Sequence, residues 1–580
     1  MRRYFEEMDS LGKPLTESHL KMMSESAKEA EETWANIKKS MEIALNQGLP
    51  VEELHKRGEK TATERIEYLV DKGTWLPLNT LYNPENNKYG TTGVINGLGK
   101  INGKWCSIIA SNNRVLAGAW IPGQAENVFR AQDIAERLRI PLVWILNCSG
   151  VSLPEQEKVY AGRRCGGRSF FRHAELAQKG IPVIVGIFGT NPAGGGYHSI
   201  SPAILFAHEK SSMAVGGGGI VSGMSPKGGF DKEGAETIIE LTKKYKVQPP
   251  GSMKIHHDVT GFVRRVFKTE EGVLDAIREC ISLLPSYNPW YFRVAEPKEP
   301  KFSTSELKYI IPMNQKRIYE IEQVIARLVD GSEHMEFKPN FGPEVYTGLV
   351  KLNGLLVGII ANRQGFLGEG YPHYADYPGI GGKLYREGLI KMNEFVTLCG
   401  RDRIPIIWLQ DNTGIDVGDL AEKAELLGLG QSLLYSIESS KLPMMTVVVR
   451  KGSAASHYVM AGPQANNNNA FTLGTPATEI YVMHGETAAV ASYARRLVKD
   501  KEEGKDLQET IDKMNKLVKE YYEKSRPDYC AKMGFVDEIV NFSELRQYMI
   551  AFAESCYQNP DTACPHHQLL LPRIIKPEMC

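Results

Sequence analysis

Apolar positions along this chain switch between two rhythms. Between residues 17 and 70, Leu20, Ala27, Ala30, Trp34, Ile37 and Met41 recur at helical spacing among Glu and Lys. Thr61-Ala62-Thr63-Glu64 is a capping box, in which the Thr side chain and the Glu three places on satisfy each other's free amides. It opens a short helix through Val70 that Gly73 ends. From Gly93 the period shortens. Gly93–Ile101, Lys104–Ala110 and Val115–Trp120 read as strands joined by Gly and Asn turns. Pro122–Arg139 follows as a helix with Val128, Ala131, Ala135 and Leu138 on one face, and Leu142–Leu146 as a buried strand. Met213–Gly223 reads as further strand and glycine turn. Prolines 285, 289, 297, 300 and 312 among charges mark a linker. Beyond it the scheme returns, with strands Val345–Lys351 and Leu355–Ala361, a helix around Lys383–Cys399, and Ile480–Met483.

The return is a repeat. Arg139–Gly150, RIPLVWILNCSG, matches Arg403–Gly414, RIPIIWLQDNTG, at five of twelve positions. Ile181–Tyr197, IPVIVGIFGTNPAGGGY, has the same length as Leu442–Tyr458, LPMMTVVVRKGSAASHY. Each segment is an apolar strand that runs into small residues. The proline before each strand stops the preceding helix, because it disfavours helical backbone in the residue ahead of it. The expectation is an α/β protein of two related halves, each a sheet with helices on its outside.

Composition narrows the function classes. Apolar content of 42% and charge of 24% are ordinary for a soluble protein. Lys plus Arg equals Asp plus Glu at 69 each, which gives no reason to expect nucleic acid as a partner. Nine dispersed cysteines without Cys-x-x-Cys spacing read as free thiols of a reducing compartment. The N-terminus lacks an apolar signal core, and no apolar run approaches the ~20 residues of a membrane span. A cytoplasmic chain is expected, with any membrane attachment made through partners.

The small residues after the strands are the candidate chemistry. They let a ligand approach the backbone. Ser149-Gly150-Val151 and Gly194-Gly195-Gly196 each offer amide N–H groups, and two such donors aimed at one point make an oxyanion hole. Thr413-Gly414-Ile415 and Ala454-Ala455 offer a second hole. A lone Gly-Gly-Gly is ordinarily a tight turn, as Gly216–Gly219 illustrates. The duplication is what favours chemistry. Other candidates are weaker. His256-His257-Asp258 lacks a third ligand at a sensible spacing, and no metal site is expected. Gly97-Leu98-Gly99 does not continue into a dinucleotide fingerprint, and Ser149 lacks a nucleophile elbow. Arg163, Arg164 and Arg168 read as a solvated face or as a phosphate-binding patch.

Several segments resemble biotin-dependent carboxyltransferases. TATERIEYLVDKGTW at 61–75 is similar to their entry helix, and NCSGVSLPEQ at 147–156 to the DSGGAYLPRQ of methylcrotonyl-CoA carboxylase. PAGGGY at 192–197 resembles TAGGAY, and HHDVTG at 256–261 resembles HxxxSG. RKGSAASHYVM at 450–460 and VMHGETA at 482–488 resemble segments of the propionyl-CoA carboxylase subunit. These matches cover roughly residues 60–490 in the family's order. The length, the leader and the NTGID and AASHY segments are most similar to the branch that decarboxylates glutaconyl-CoA in sodium-pumping complexes.

The resemblance implies two tandem crotonase-like domains. Residues 1–75 would be a helical leader packed on the N-terminal domain, 76–295 a domain for acyl-CoA, and 296–580 a domain for biotin. It implies Val151 and Gly195, supported by Gly150, Gly194 and Gly196, as donors to the thioester enolate oxygen. Gly414, Ile415, Ala454 and Ala455 would face the biotin ureido oxygen, and Arg163, Arg164 and Arg168 the CoA phosphates. The family's two glycines at 454–455 are alanines here. The internal repeat pairs Gly194 with Ala455, whereas the family match pairs it with Ala454.

The implied reaction moves the γ-carboxylate of glutaconyl-CoA to biotin on a separate carrier subunit, giving crotonyl-CoA and carboxybiotin. Further implied partners are an integral membrane sodium-pump subunit and a second copy of the chain, with the site at the subunit interface. Carboxylation of propionyl-, methylcrotonyl- or acetyl-CoA, and a non-catalytic scaffold, stay open as alternatives.

Overall fold

The computed structural model describes residues 8–199, 204–217, 232–247, 250–367, 379–462 and 465–559. The expected glycine turn after Gly217 and the tail from residue 560 lie outside them. The chain forms two compact units, Ser40–Ser286 and Met1–Lys39 with Tyr287–Cys580.

Both units are wound alike. The N-terminal unit holds a seven-stranded sheet in the order Arg265–Phe267, Ile204–His208, Val183–Ile187, Leu142–Leu146, Lys104–Ser111, Val94–Ile101, Leu76–Leu78. The three strands nearest the Leu76 edge pair antiparallel, and from Lys104–Ser111 to the other edge every pairing is parallel. The C-terminal unit holds an eight-stranded sheet. Val345–Leu352 and Leu355–Asn362 form an antiparallel pair, followed in parallel by Ile406–Gln410, Met444–Val448, Asn469–Gly474 and Glu538–Ile539. Glu333–Glu336 and Asp9–Ser10 extend its first edge.

The repeated motif explains the shared winding. Helices Gln124–Leu138 and Arg386–Asp402 end on Arg139 and Arg403, both in left-handed backbone at φ 51° and 62°. Ile140 and Ile404 then donate back to the carbonyls of Ala135 and Cys399, which closes the helix end. Trp144 and Trp408, at most 1% exposed, anchor the clusters between sheet and helices. Burying a large apolar side chain contributes on the order of 2 kcal/mol, so these strands are held in the middle of each sheet.

The sequence expectations meet three differences. Val115–Trp120 is not a strand. Leu116 and Ala117 take positive φ in a short turn at Leu116–Gly118, and only Trp120 makes a bridge. The leader expected on the N-terminal half divides. Met1–Lys39 belongs with the C-terminal unit, where the His19 ring bonds the Tyr309 carbonyl at 2.8 Å and Ser26 Oγ accepts the Met313 N–H at 2.9 Å. The proline-rich segment is not a free linker. Leu307 and Ile311 are fully buried, Val294 donates to the Gly354 carbonyl, and the segment from Tyr287 packs with the C-terminal unit. Further along, Leu545–Gln558 is a helix with Phe552 and Cys556 in the core.

Candidate active site

Strands Leu142–Leu146 and Val183–Ile187 are parallel neighbours, with Leu146 opposite Ile187. Their carboxyl ends therefore open side by side, which is where open α/β sheets bind ligands. After the first strand, Gly150 turns at φ +97° and Val151 forms a single parallel bridge with Trp120. The bridge uses the Gly150 carbonyl, which accepts the Trp120 N–H at 2.7 Å, and the Ser152 N–H, which donates to the Trp120 carbonyl at 2.9 Å. Val151's own N–H is left on the other side of the strand. After the second strand, Ala193 is strained at φ 46°, ψ −124°, and the short helix Gly194–Tyr197 starts. Gly196 and Tyr197 donate back to the Ala193 carbonyl. The Gly194 and Gly195 amides precede those bonds, as the first amides of any helix do.

The two turns touch. A Cβ on Gly195 would lie 2.1 Å from the Cys148 carbonyl oxygen, so only glycine permits this approach. Asn191 Oδ1 accepts the Cys148 N–H at 2.7 Å. The loop at 116–118 braces the first turn from below. The Ser149 N–H donates to the Ala117 carbonyl, and Ser149 Oγ to the Leu116 carbonyl. Burial pushes the Cys148 thiol up to about 12, so it stays neutral beside the turn. Burial also holds His198 well below its ordinary value, as a neutral imidazole.

The second unit repeats the arrangement. Gly414 turns at φ +132°, and Gly414–Ile415 pairs in parallel with Lys383–Leu384. Leu384 stands opposite Ile415 as Trp120 stands opposite Val151. The Asp416 N–H closes this pairing on the Leu384 carbonyl, so Ile415's N–H is again left outside. A Cβ on Gly414 would meet nothing within 4 Å, so the turn faces open space. Ala454 opens the short helix Ala454–Val459 at φ 50°, matching Ala193 at φ 46°. The strained alanines align the two turns and pair Gly194 with Ala455, the register of the internal repeat.

The bracing differs. Ser456 occupies the place of Gly195. Its Oγ donates to Asn412 Oδ1 and to the Ser453 carbonyl, and Asn412 Oδ1 also accepts the Ser453 N–H at 3.2 Å. Behind this turn Asp411 and Arg450 form a fully buried ion pair at 2.8 Å. Asp411 Oδ1 accepts the Lys451 N–H at 3.3 Å, while Arg450 Nη1 donates to the carbonyls of Asn314 and Arg317. Strand Lys451–Ser453 borders a cavity of about 750 Å³ whose wall includes Glu479, Tyr481 and His484. Burial raises the Glu479 carboxyl to about 7.

The arginines are mostly engaged. Arg164 Nε donates to Glu126 at 2.7 Å, Arg168 makes a bidentate pair with Glu175, and Arg163 is exposed. The His256 ring bonds the Met213 carbonyl, a structural role. Sequence reasoning passed over Trp120, Asn191, Asn412 and the Asp411–Arg450 pair. Asp411-Asn412 and Arg450 lie inside the repeated motifs and were legible as departures from the first copy. Nothing local marked Trp120.

Two like-wound units, each ending two adjacent parallel strands in amide-bearing turns, define a carboxyltransferase of crotonase-like fold. The carboxyl transferase domain matches residues 53–570, and the chain belongs to that family. It is a biotin-dependent acyl-CoA carboxyltransferase. Over 579 residues it is 57% identical to the glutaconyl-CoA decarboxylase subunit alpha of Acidaminococcus fermentans, covering 99% of this chain and 98% of that one. It is 25% identical to the methylmalonyl-CoA decarboxylase subunit alpha of Propionigenium modestum, covering 88% and 93%. The crystal structure of the P. aeruginosa geranyl-CoA carboxylase beta subunit superposes with a TM-score of 0.77 at 22% identity, covering 95% of this chain and 98% of that one. That likeness is one of fold.

Proposed function

We propose that the chain removes the γ-carboxylate of glutaconyl-CoA and passes it to biotin carried on a separate subunit, leaving crotonyl-CoA. The observation that carries this reading is the doubled turn pair, with amides of Val151 and Gly194–Gly195 in one unit and of Ile415 and Ala455 in the other outside the sheet and helix ladders. The substrate rests on the 57% identity to the Acidaminococcus subunit.

Loss of the γ-carboxylate leaves an electron pair that spreads through the double bond into the thioester carbonyl. The charge gathers on that oxygen. Val151 and Gly195 N–H groups donate to it as it develops, with Gly150, Gly194 and Gly196 shaping the turns. This stabilises the transition state more than the ground state. Removing one such donor typically costs ~10²–10³ in rate. Protonation of the dienolate yields crotonyl-CoA. In the second unit, the open face at Gly414 and the Ile415, Ala454 and Ala455 amides fit the ureido oxygen of biotin. Biotin supplies a ureido nitrogen as the carboxyl acceptor. Arg163, with Arg164 and Arg168 nearby, serves the CoA phosphates.

The carrier subunit, a membrane subunit that exports sodium, and a second copy of the chain complete the assembly. No helix among the described residues is long and apolar enough to cross a membrane; attachment at the inner face of the membrane would be made through the partner subunits. The test uses the purified chain with glutaconyl-CoA and a high concentration of free biotin, with and without avidin. Avidin-sensitive formation of crotonyl-CoA is expected. Carboxyl transfer to biotin from methylmalonyl-CoA or 3-methylglutaconyl-CoA, with none from glutaconyl-CoA, would keep the carboxyltransferase and overturn the substrate.

A further inference from the structure

Trp120 is a buried residue that touches both turns of the first unit at once. Its backbone makes the bridge that sets Val151, through the Gly150 carbonyl at 2.7 Å and the Ser152 N–H at 2.9 Å. Its indole lies under the other turn, where a Cβ on Gly194 would stand 3.1 Å from the ring. The same ring fills the space at Gly166, where a Cβ would stand at 2.2 Å. Its Nε1–H donates to His198 Nε2 at 2.7 Å. With Nε2 accepting, the His198 proton sits on Nδ1 and is donated to Ser169 Oγ at 3.2 Å, which in turn donates to the Gly166 carbonyl at 2.7 Å. His198 directly follows Gly194–Tyr197, so this chain of bonds ties the glycine turn to the indole from its far end. Trp144 and Phe170 pack on the His198 ring and leave it no freedom to turn away.

We infer that Trp120 is a positioning residue that fixes the separation of the Val151 amide from the Gly194–Gly195 amides, through its backbone on one side and its ring on the other. The inference rests on the reading that those amides face the enolate oxygen. A hole works only when its donors converge on one place. A misplacement of ~1 Å can cost about 10² in rate. The second unit holds Leu384 at the corresponding bridge position, with no ring N–H to donate. Leucine therefore keeps the bridge backbone and removes both ring contacts.

The experiment compares Trp120→Leu, Trp120→Phe and Gly195→Ala in the full chain, with glutaconyl-CoA and saturating free biotin, well below each variant's Tm. Trp120→Leu is expected to lower kcat on the order of 10²-fold while KM for glutaconyl-CoA stays within about threefold, because an interaction of the transition state alone is lost. KM for biotin is expected to stay unchanged. A wild-type kcat in Trp120→Leu beside an impaired Gly195→Ala would overturn the inference and keep the hole. Wild-type kcat in both would remove the reading of the hole on which it rests. Should Trp120→Leu not fold, Trp120→Phe decides. It keeps a ring under Gly194 and loses the bond to His198, so a kcat loss of about tenfold at unchanged Tm supports the inference and full kcat overturns it.

Discussion

The two turn pairs share their backbone course and are held differently. In the first, backbone meets backbone, with Gly195 against the Cys148 carbonyl, and the braces at the turns are Asn191, Trp120, His198 and Ser169, while the buried Arg65–Glu270 pair reaches only Asn147 at the strand's end, at 3.4 Å. In the second, side chains do the bracing, through Ser456, Asn412 and the buried Asp411–Arg450 pair. Even the asparagine is exchanged. Asn191 reaches from the second turn to the Cys148 N–H of the first, whereas Asn412 reaches from the first turn to the Ser453 N–H of the second. Duplication preserved the sheet and the backbone course of the turns and left the fastening of each turn open to change. In the half proposed to gather negative charge from the substrate, the charge nearest the first turn is the Arg65 guanidinium on Asn147, with Glu270 paired to it. A buried carboxylate such as Asp411 next to a developing enolate would oppose it.

The comparison breaks hardest at Gly195. Gly195→Ala puts a methyl into the Cys148 carbonyl and drives the two turns apart. A loss of ~10²-fold or more in crotonyl-CoA formation is expected. Steady-state rates with saturating biotin measure it. Asp411→Asn tests the other kind of brace. It leaves the Arg450 guanidinium buried without its charge partner, which destabilises a fold by about 3–5 kcal/mol. A lowered Tm with a raised KM for biotin, and little change in KM for glutaconyl-CoA, is the expected pattern. An effect confined to glutaconyl-CoA would count against the division of labour.

The smallest effect concerns Glu479 behind the second turn. Burial raises its carboxyl from 4.5 to about 7, so the folded chain holds this proton more tightly than the unfolded one. The stability it contributes is full below pH 4.5 and is lost as the pH rises through about 7. Glu479→Gln removes that dependence. Relative to wild type its Tm should be higher at pH 8 than at pH 5, and an unchanged difference between the two would refute the assignment.

The winding of both units and the four turns were legible because repetition supplied a second reading of each motif. RIPLVWILNCSG alone is a buried strand and a turn. Set beside RIPIIWLQDNTG it became a frame into which every small residue fell. Failures came where the determinant was long-range. Val115–Trp120 has strand composition, yet Gly118 lies where a Cβ would stand 1.7 Å from the Asn147 carbonyl oxygen, and the loop bends to brace the turn. Trp120 looked like one more core aromatic, because its value depends on a bridge to Val151 and a ring under Gly194, both far along the chain. The prolines at 285–312 have linker composition, but Leu307 and Ile311 among them are core residues. The backbone angles of Ala193 and Ala454 align the two turns in the register of the internal repeat, which no local feature of 454–455 marked.

The central claim is that one turn pair serves the CoA ester and the other biotin. Gly414→Ala isolates the second, because its Cβ meets nothing within 4 Å and the change acts through backbone strain at φ +132°, of order 1–3 kcal/mol. The measurement is the full kinetic matrix of Gly195→Ala and Gly414→Ala against glutaconyl-CoA and free biotin. The account predicts that Gly195→Ala loses kcat with KM for biotin unchanged, and that Gly414→Ala raises KM for biotin with KM for glutaconyl-CoA unchanged. Both variants shifting the same substrate would contradict it.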